Sequence, residues 1–343
     1  MGPRVLWMSG SGVARSPRGN SPLADRAKSG LANRPPGLWQ VPGLLARFGP
    51  YYLRHVMLQP YRGLRPLENL RELLTRPARR HQIAIYDAVL ELMLNGYAEL
   101  AGHSLRPETG QVAVMLTRVG FAFDDEYERQ KSRQEAAGFE DLLASAHVQQ
   151  RVREWRAFMQ GYEAYDSIRN FLMAFVAQLY QDYAETAAAP DTPAGFDAMM
   201  RGAALDSGGL LVALAQVIAL FHNDAPTDAV LAQFSSLGVN GKLADDVIDF
   251  RLDLAGGRPN LLLALARGDE REQARAIGLG DAQRTMSTRW WQQNCPRTYQ
   301  QLVAAYQEQQ AQITSRWLRY ASSLMWTPAL LGHARKKETR GRI

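Results

Sequence analysis

Two acidic clusters in this 343-residue chain have the residue types and the spacing that could do chemistry. The first, with the sequence DDEYE, follows an apolar helical run, and its carboxylates at Asp124, Asp125 and Glu128 share one helical face. Like charges at such a spacing destabilise a helix by roughly a few tenths of a kcal/mol per pair. A cation is therefore expected nearby to offset the repulsion.

The second cluster has the sequence DDVIDFRLD and begins at Asp245. At about 100° per residue, the carboxylates of Asp245, Asp249 and Asp253 fall within about 80° of one another, and Lys242 lies on the same stripe. Oxygen ligands without His or Cys suit Mg²⁺, which keeps several waters and is commonly shared with a phosphate. The alternative is that both clusters are solvated acidic faces. Because two such clusters occur within otherwise apolar helices, this alternative is less favoured.

Composition excludes several other kinds of site and protein. The single cysteine, Cys295, excludes an internal disulfide, and six scattered histidines give no paired spacing for a histidine-bound metal. No convincing nucleophile–base arrangement is visible. No uncharged apolar run reaches the roughly 18 to 20 residues of a membrane span, and no signal peptide is recognisable. We expect a cytoplasmic protein without a membrane span.

The formal net charge of +6 belongs to the two ends of the chain. Residues 1–48 carry seven Arg and Lys against one Asp, and residues 335–343 carry five against one Glu, so the body is mildly acidic. A basic tail is most often simply solvated. Nucleic-acid binding is not expected.

Long segments with apolar residues three and four apart must position these side chains. Breakers rich in Pro and Gly separate the segments, and no stretch alternates like a strand. The helices are predicted over 80–101, 111–136, 148–160, 162–188, 196–222, 228–254, 270–293 and 297–326. They predict one all-α domain of long, roughly antiparallel helices over 45–332. A disordered basic tail is predicted for 1–44 and a basic tail for 333–343.

The two motifs, DDxxE and DDxxD, resemble those of the class I isoprenoid synthase superfamily. In that superfamily two acidic motifs on facing helices bind three Mg²⁺ ions, which grip an allylic diphosphate. The resemblance implies a helical bundle around a central apolar cavity. It also implies a metal-binding set made of Asp124, Asp125, Glu128, Asp245, Asp249 and Asp253, with Asp125 and Glu128 orienting the ions rather than binding them directly.

Two further segments resemble the terpene cyclases of this superfamily. Arg319-Tyr320 resembles the Arg-Tyr pair of bacterial cyclases, whose Arg contacts diphosphate. Arg201 and Asp206 precede Gly208-Gly209, where cyclases carry a diphosphate-sensing Arg, a linking Asp and a helix break. The spacing of the second motif also matches the NDxxSxxxE pattern of cyclases, although chain-elongating enzymes have a DDxxD there too.

The resemblance therefore implies a class I terpene synthase, a carbon–oxygen lyase that ionises a linear isoprenyl diphosphate and cyclises the carbocation to a hydrocarbon or alcohol. A C20 substrate is favoured over C15. Lys242, Arg201, Arg319 and Tyr320 would bind the diphosphate, and Phe121 and Trp317 the isoprenyl chain. The alternatives are a chain-elongating trans-prenyltransferase and a non-catalytic helical lipid-binding or scaffold protein. Monomer and homodimer both stay open.

Overall fold

The computed structural model describes residues 77–132, 139–187, 195–278 and 287–331. Within these ranges the chain forms helices and no strand, so the predicted all-α class is confirmed. The predicted tails, 1–44 and 333–343, lie outside the described residues, as does the beginning of the predicted domain.

The described helices follow the predicted segments closely in most of the chain. In order they are α1 (Pro77–Ala101), α2 (Thr109–Ser132), α3 (Phe139–Ala144), α4 (Ala146–Met159), α5 (Tyr165–Ala187), α6 (Phe196–Ala203), a π segment (Ala204–Gly208), α7 (Gly209–Phe221), α8 (Asp228–Ala255), α9 (Leu261–Ala266), α10 (Glu270–Gly278), α11 (Thr288–Asn294), α12 (Pro296–Gln312) and α13 (Arg316–Leu331). The short helices α3 and α9 were not predicted.

Helix α8 is the central element of the bundle and packs against α7, α12 and α13. Thr227 caps its N-terminus, since the Thr227 side chain accepts a hydrogen bond from the amide of Val230 at 3.4 Å. Gly256 follows its last turn. Because α8 has neighbours on several sides, it is buried over much of its circumference, unlike a surface helix with one apolar stripe.

Three clusters of buried side chains hold the helices together. One joins α1, α2, α7, α8 and α13, the second joins α8 to α13, and the third joins α2, α4, α5 and α7. Their large buried members are, in the same order, Tyr97, Phe234 and Leu318; Phe250, Trp291, Tyr306 and Trp326; and Trp155, Ile168 and Phe221. Helix α8 belongs to two of the clusters and connects them.

A π segment interrupts the helix that runs from Phe196 to Phe221. It ends at Gly208, the first residue of the Gly208-Gly209 pair, where the sequence predicted a break. Gly238 of α8 packs against it, and Gly208 in turn lies close to Ser235. Small residues on both helices therefore allow their backbones to approach closely at this level.

The predicted helix over 297–326 is wrong in one respect, because the structure divides it into α12 and α13. Ile313 has extended backbone angles, φ −92° and ψ 112°. The side-chain oxygen of buried Gln233 accepts hydrogen bonds from the amides of Thr314 at 2.9 Å and Ser315 at 3.0 Å. A side chain 81 positions away thus satisfies the amides at this break, which local sequence could not reveal.

One described helix, the continuous segment Phe196–Phe221, is long and apolar enough to cross a membrane by length and composition alone. In the bundle 44% of its apolar window is buried. A core helix passes the same test, so this single segment is weak support for a membrane span.

Candidate functional site

Helices α2 and α8 begin at the same end of the bundle. The Thr109 hydroxyl at the start of α2 is hydrogen-bonded to Nε2 of His222, with 2.8 Å between the two atoms. His222 ends α7, and α8 begins six residues later at Asp228. Both helices therefore run away from this end, antiparallel to α7.

The two acidic motifs lie at similar heights along these helices. Asp124 is 15 residues beyond Thr109, which corresponds to about 22 Å along α2. Asp245 is 17 residues beyond Asp228, or about 26 Å along α8. The fold therefore brings both motifs toward the end of the bundle opposite the Thr109–His222 contact.

In the first motif, Glu126 is the buried acid, and the predicted Asp124 and Asp125 are exposed. Glu126 forms an ion pair with Arg129 and accepts a hydrogen bond from the side-chain amide of Gln130 at 3.0 Å. The side chain of Glu128, also predicted, lies outside the described residues. The predicted substrate residue Phe121 is 43% exposed at this level of α2.

In the second motif, Asp246 and Asp249 are buried and Asp245 is half-buried. Nζ of Lys242 lies 2.6 Å from a carboxylate oxygen of Asp246 and 3.9 Å from one of Asp245. Burial alone would lower the pKa of Lys242, but the two carboxylates more than offset this effect and raise its pKa above the usual range. Lys242 is therefore a permanent cation within the motif.

The last acid of the second motif is held by two neighbours. One oxygen of the Asp253 carboxylate lies 3.0 Å from the guanidinium of Arg258, and the other accepts a hydrogen bond from the side-chain amide of Asn260 at 2.9 Å. Burial raises the pKa of Asp253, and both contacts oppose that rise. The buried Asp253 carboxylate thus already has a cationic partner on the chain.

The donor set of the second motif fits Mg²⁺ in kind, because it consists of carboxylate oxygens only. Lys242 and Arg258 already neutralise part of the carboxylate charge of this motif. In the part of the chain that the structure describes, no three His, Cys, Asp or Glu side chains converge into a group that could hold a metal ion. A metal ion bound here would therefore need ligands beyond these side chains, such as phosphate oxygens or water.

Arg201 and Asp206 lie on the helix that packs against α8 at this level. Ser207 and Gly208 contact Gly238, and the two helices are antiparallel, so Arg201 lies about level with the beginning of the second motif. The Arg201 side chain is exposed, and Asp206, within the π segment, is half-buried.

Arg319 and Tyr320 are not brought to the second motif. Gln233 faces Ser315 and Gly241 faces Met325, so α8 and α13 run parallel rather than antiparallel. Arg319 therefore lies about eight residues, or about 12 Å, before the level of Asp245.

The side chain of Arg319 also points the other way, since its Nε donates to the carbonyl oxygen of Ile313 at 2.7 Å. Tyr320 and Trp317 pack edge to face with ring centroids 6.2 Å apart, and both are partly buried against the first cluster. The predicted Arg-Tyr pair thus contributes to packing between α13 and its neighbours.

Three polar residues of this region were not predicted, namely Glu126, Asp246 and Asn260. Helical phase would have revealed the first, because Glu126 lies four residues from both Ala122 and Gln130, which are buried as well. Asp246 lies on the buried face that also carries Asp249, Phe250 and Asp253. Asn260 caps a six-residue helix and has no periodic signal.

Neither the protein-family models nor the curated proteins give a match to this chain. Function must therefore be argued from the residues of the site themselves.

Proposed function

We propose that this protein is a Mg²⁺-dependent terpene cyclase, which ionises a linear isoprenyl diphosphate and cyclises the resulting carbocation. The observation that carries the proposal is the similar height of the two acidic motifs in an all-helical bundle, about 22 Å and 26 Å from the common end of α2 and α8. Two acidic faces without a joint role would have no reason to lie at a similar height along the bundle.

Each motif contributes a different kind of carboxylate. Asp124 and Asp125 are exposed, so they can approach an ion arriving with substrate, whereas Asp249 and Asp253 are buried and fixed. Bound Mg²⁺, three ions in the family that the sequence resembles, would supply positive charge that stabilises departing diphosphate. Oxygen-only ligands and a phosphate partner are typical of this ion.

Cationic side chains of the chain stabilise the remaining phosphate charge. The carboxylates of Asp246 and Asp245 raise the pKa of Lys242 and so favour its charged form. Arg201 lies about level with the motif on the antiparallel helix, and its planar guanidinium can donate to two phosphate oxygens at once. The Nε of Arg319 donates a hydrogen bond to the carbonyl oxygen of Ile313, so Arg319 is not among the proposed phosphate ligands.

The substrate is assigned as a C20 isoprenyl diphosphate, with C15 second. Phe121, three residues before Asp124 on α2, is an aromatic side chain that is 43% exposed. An aromatic face stabilises a desolvated cation by roughly 0.5 to 2 kcal/mol. It can therefore contribute to steering the carbocation once the diphosphate has left.

The direct experiment incubates the purified full chain and Mg²⁺ with geranyl, farnesyl and geranylgeranyl diphosphate, and analyses organic extracts for cyclic products. Asp124→Asn and Asp249→Asn should each abolish turnover without changing the helical circular dichroism spectrum. Asp166→Asn is the matched control, because Asp166 is an exposed acid whose side chain is 77% accessible.

Two results would overturn the proposal. Longer diphosphates formed only with added isopentenyl diphosphate would make the protein a chain-elongating transferase. Full activity of both Asp variants, or no product and no thermal stabilisation by Mg²⁺ with diphosphate, would remove the catalytic site itself.

A further inference from the structure

Asn260 is a buried polar side chain that contacts two residues of the second acidic motif, Asp246 and Asp253. It is 2% exposed and lies in the turn between α8 and α9. Its side-chain oxygen accepts a hydrogen bond from the amide of Leu262 at 3.0 Å and so caps α9. Its side-chain nitrogen lies 2.9 Å from the carbonyl oxygen of Asp246 and 2.9 Å from a carboxylate oxygen of Asp253.

The two partners of Asp253 differ in how firmly they are held. The Arg258 side chain is 38% accessible and ends in a charged group that can exchange partners, whereas Asn260 is enclosed and bonded at both ends of its amide. An ionised carboxylate has about four acceptor positions, of which these two contacts use one each. Asn260 therefore fixes the carboxylate plane and leaves acceptor positions for a metal ion.

A second contact makes this turn rigid. The carboxylate of Asp246 accepts a hydrogen bond from the amide of Leu261 at 2.6 Å. Leu261 is the first residue of α9, the helix that Asn260 caps. The Asn260 amide bonds to the backbone of Asp246 itself. Two hydrogen bonds thus connect Asp246 of α8 to the start of α9. The Asn260 side chain, which makes one of them, also contacts the Asp253 carboxylate and orients it.

We propose that Asn260 is a positioning residue, whose amide orients the Asp253 carboxylate for metal binding. This inference rests on the proposed function of the acidic motifs. Groups that hydrogen-bond a metal ligand commonly change metal affinity by about 10- to 100-fold when they are replaced. The predicted effect of losing the Asn260 amide is of that size.

The test compares Asn260→Ser with wild type. Serine can still cap α9 but is too short to reach Asp253, and it adds no charge. We expect the Kd for Mg²⁺, measured calorimetrically with inorganic diphosphate, to rise about 10- to 100-fold. Thr227→Ala is the control, because it removes the cap of α8 and should lower the melting temperature without changing this Kd.

A purely structural role would lower the melting temperature of Asn260→Ser and leave its Mg²⁺ affinity unchanged, which would overturn the inference. If that variant does not fold, Asn260→Thr takes its place. A crystal structure of the metal-free variant gives a second readout, in which we expect the Asp253 carboxylate to have rotated; an unchanged carboxylate would also overturn the inference. Wild type that binds no Mg²⁺ with diphosphate would instead overturn the proposed function, so the two failures differ.

Discussion

Gly238 of α8 lies so close to the carbonyl oxygen of Ser207 that a Cβ atom on Gly238 would overlap with it. The neighbouring atoms are backbone atoms of Ser207 and Gly208, which cannot turn aside like a flexible side chain. The π segment and α8 therefore require glycine at this position.

Gly238→Ala should destabilise the protein by about 2 kcal/mol or more, because overpacking here must move helix backbones apart. Guanidinium unfolding followed by circular dichroism measures this. The control is Gly202→Ala, since Gly202 has open space around its Cβ position and alanine favours a helix by up to about 1 kcal/mol. Equal stability of the two variants would contradict the close contact.

Replacing Gln233 should destabilise the junction of α12 and α13. Gln233→Leu leaves the amides of Thr314 and Ser315 without their acceptor, at a cost of about 1 to 3 kcal/mol. Urea unfolding gives the free energy. Gln178→Leu, at an exposed position of α5, is the matched change and should stay within about 0.5 kcal/mol of wild type. A similar loss there would argue against a specific role for Gln233.

Two histidines near the start of α2 and α8 should respond oppositely to pH. Both ring nitrogens of His103 face oxygens, of Asp224 at 2.8 Å and of Ser104 at 3.1 Å, and the bond to Asp224 raises the pKa of His103. Its stabilisation is present below about pH 6.5 and is lost as the pH rises through the folded-state pKa.

His222 behaves in the other direction, because burial, with the nearby charge of Arg106, lowers its pKa. Its contribution is present above about pH 6.5 and is lost as the pH falls toward the folded-state pKa. The carboxyl pKa of Asp224 is lowered by His103, so this group stays ionised over the same range.

Melting temperatures between pH 5 and 9 separate the two effects. His103→Gln should lower the melting temperature mainly on the acid side, whereas His222→Gln should reduce the loss of stability that wild type shows on acidification. Parallel curves for wild type and both variants would contradict the assignment. The His103 effect should be small, because the pair is largely accessible to solvent.

Cys295 should be inert toward thiol reagents in the folded protein. It is fully buried, and burial raises its pKa to about 11, so the thiolate is scarce at pH 8. We expect no reaction with an aromatic disulfide reagent under native conditions and one equivalent after unfolding in guanidinium. Rapid labelling of the folded chain would show that the α11–α12 junction opens.

Much of the fold could be predicted from apolar periodicity. The predicted helix over 228–254 differs from Asp228–Ala255 by one residue, and that over 80–101 is close to Pro77–Ala101. The division between α12 and α13 could not be predicted, since Gln233, far away in sequence, supplies its hydrogen bonds. The predicted helix over 270–293 includes residues 279–286, which are not described.

The sequence indicated which acidic residues make up the candidate site, but not which residues they contact. The spacing of Asp245, Asp249 and Asp253 gave the stripe on α8, but tertiary contacts decide that Asp246 binds Leu261 and that Asp253 binds Asn260. The Arg319 prediction rested on sequence distance alone, which says nothing about the parallel course of α8 and α13.

The π segment also has a consequence for chain length. A π turn holds one residue more than an α-helical path through the same region needs. Because the surplus residue is taken up within the π segment, deleting one residue between Ala204 and Gly208 would allow a continuous α-helix in which Phe196–Ala203 keep about their present orientation relative to α7. Arg201 would then stay on the same side of its helix, whereas the same deletion in a regular α-helix would turn it by about 100°.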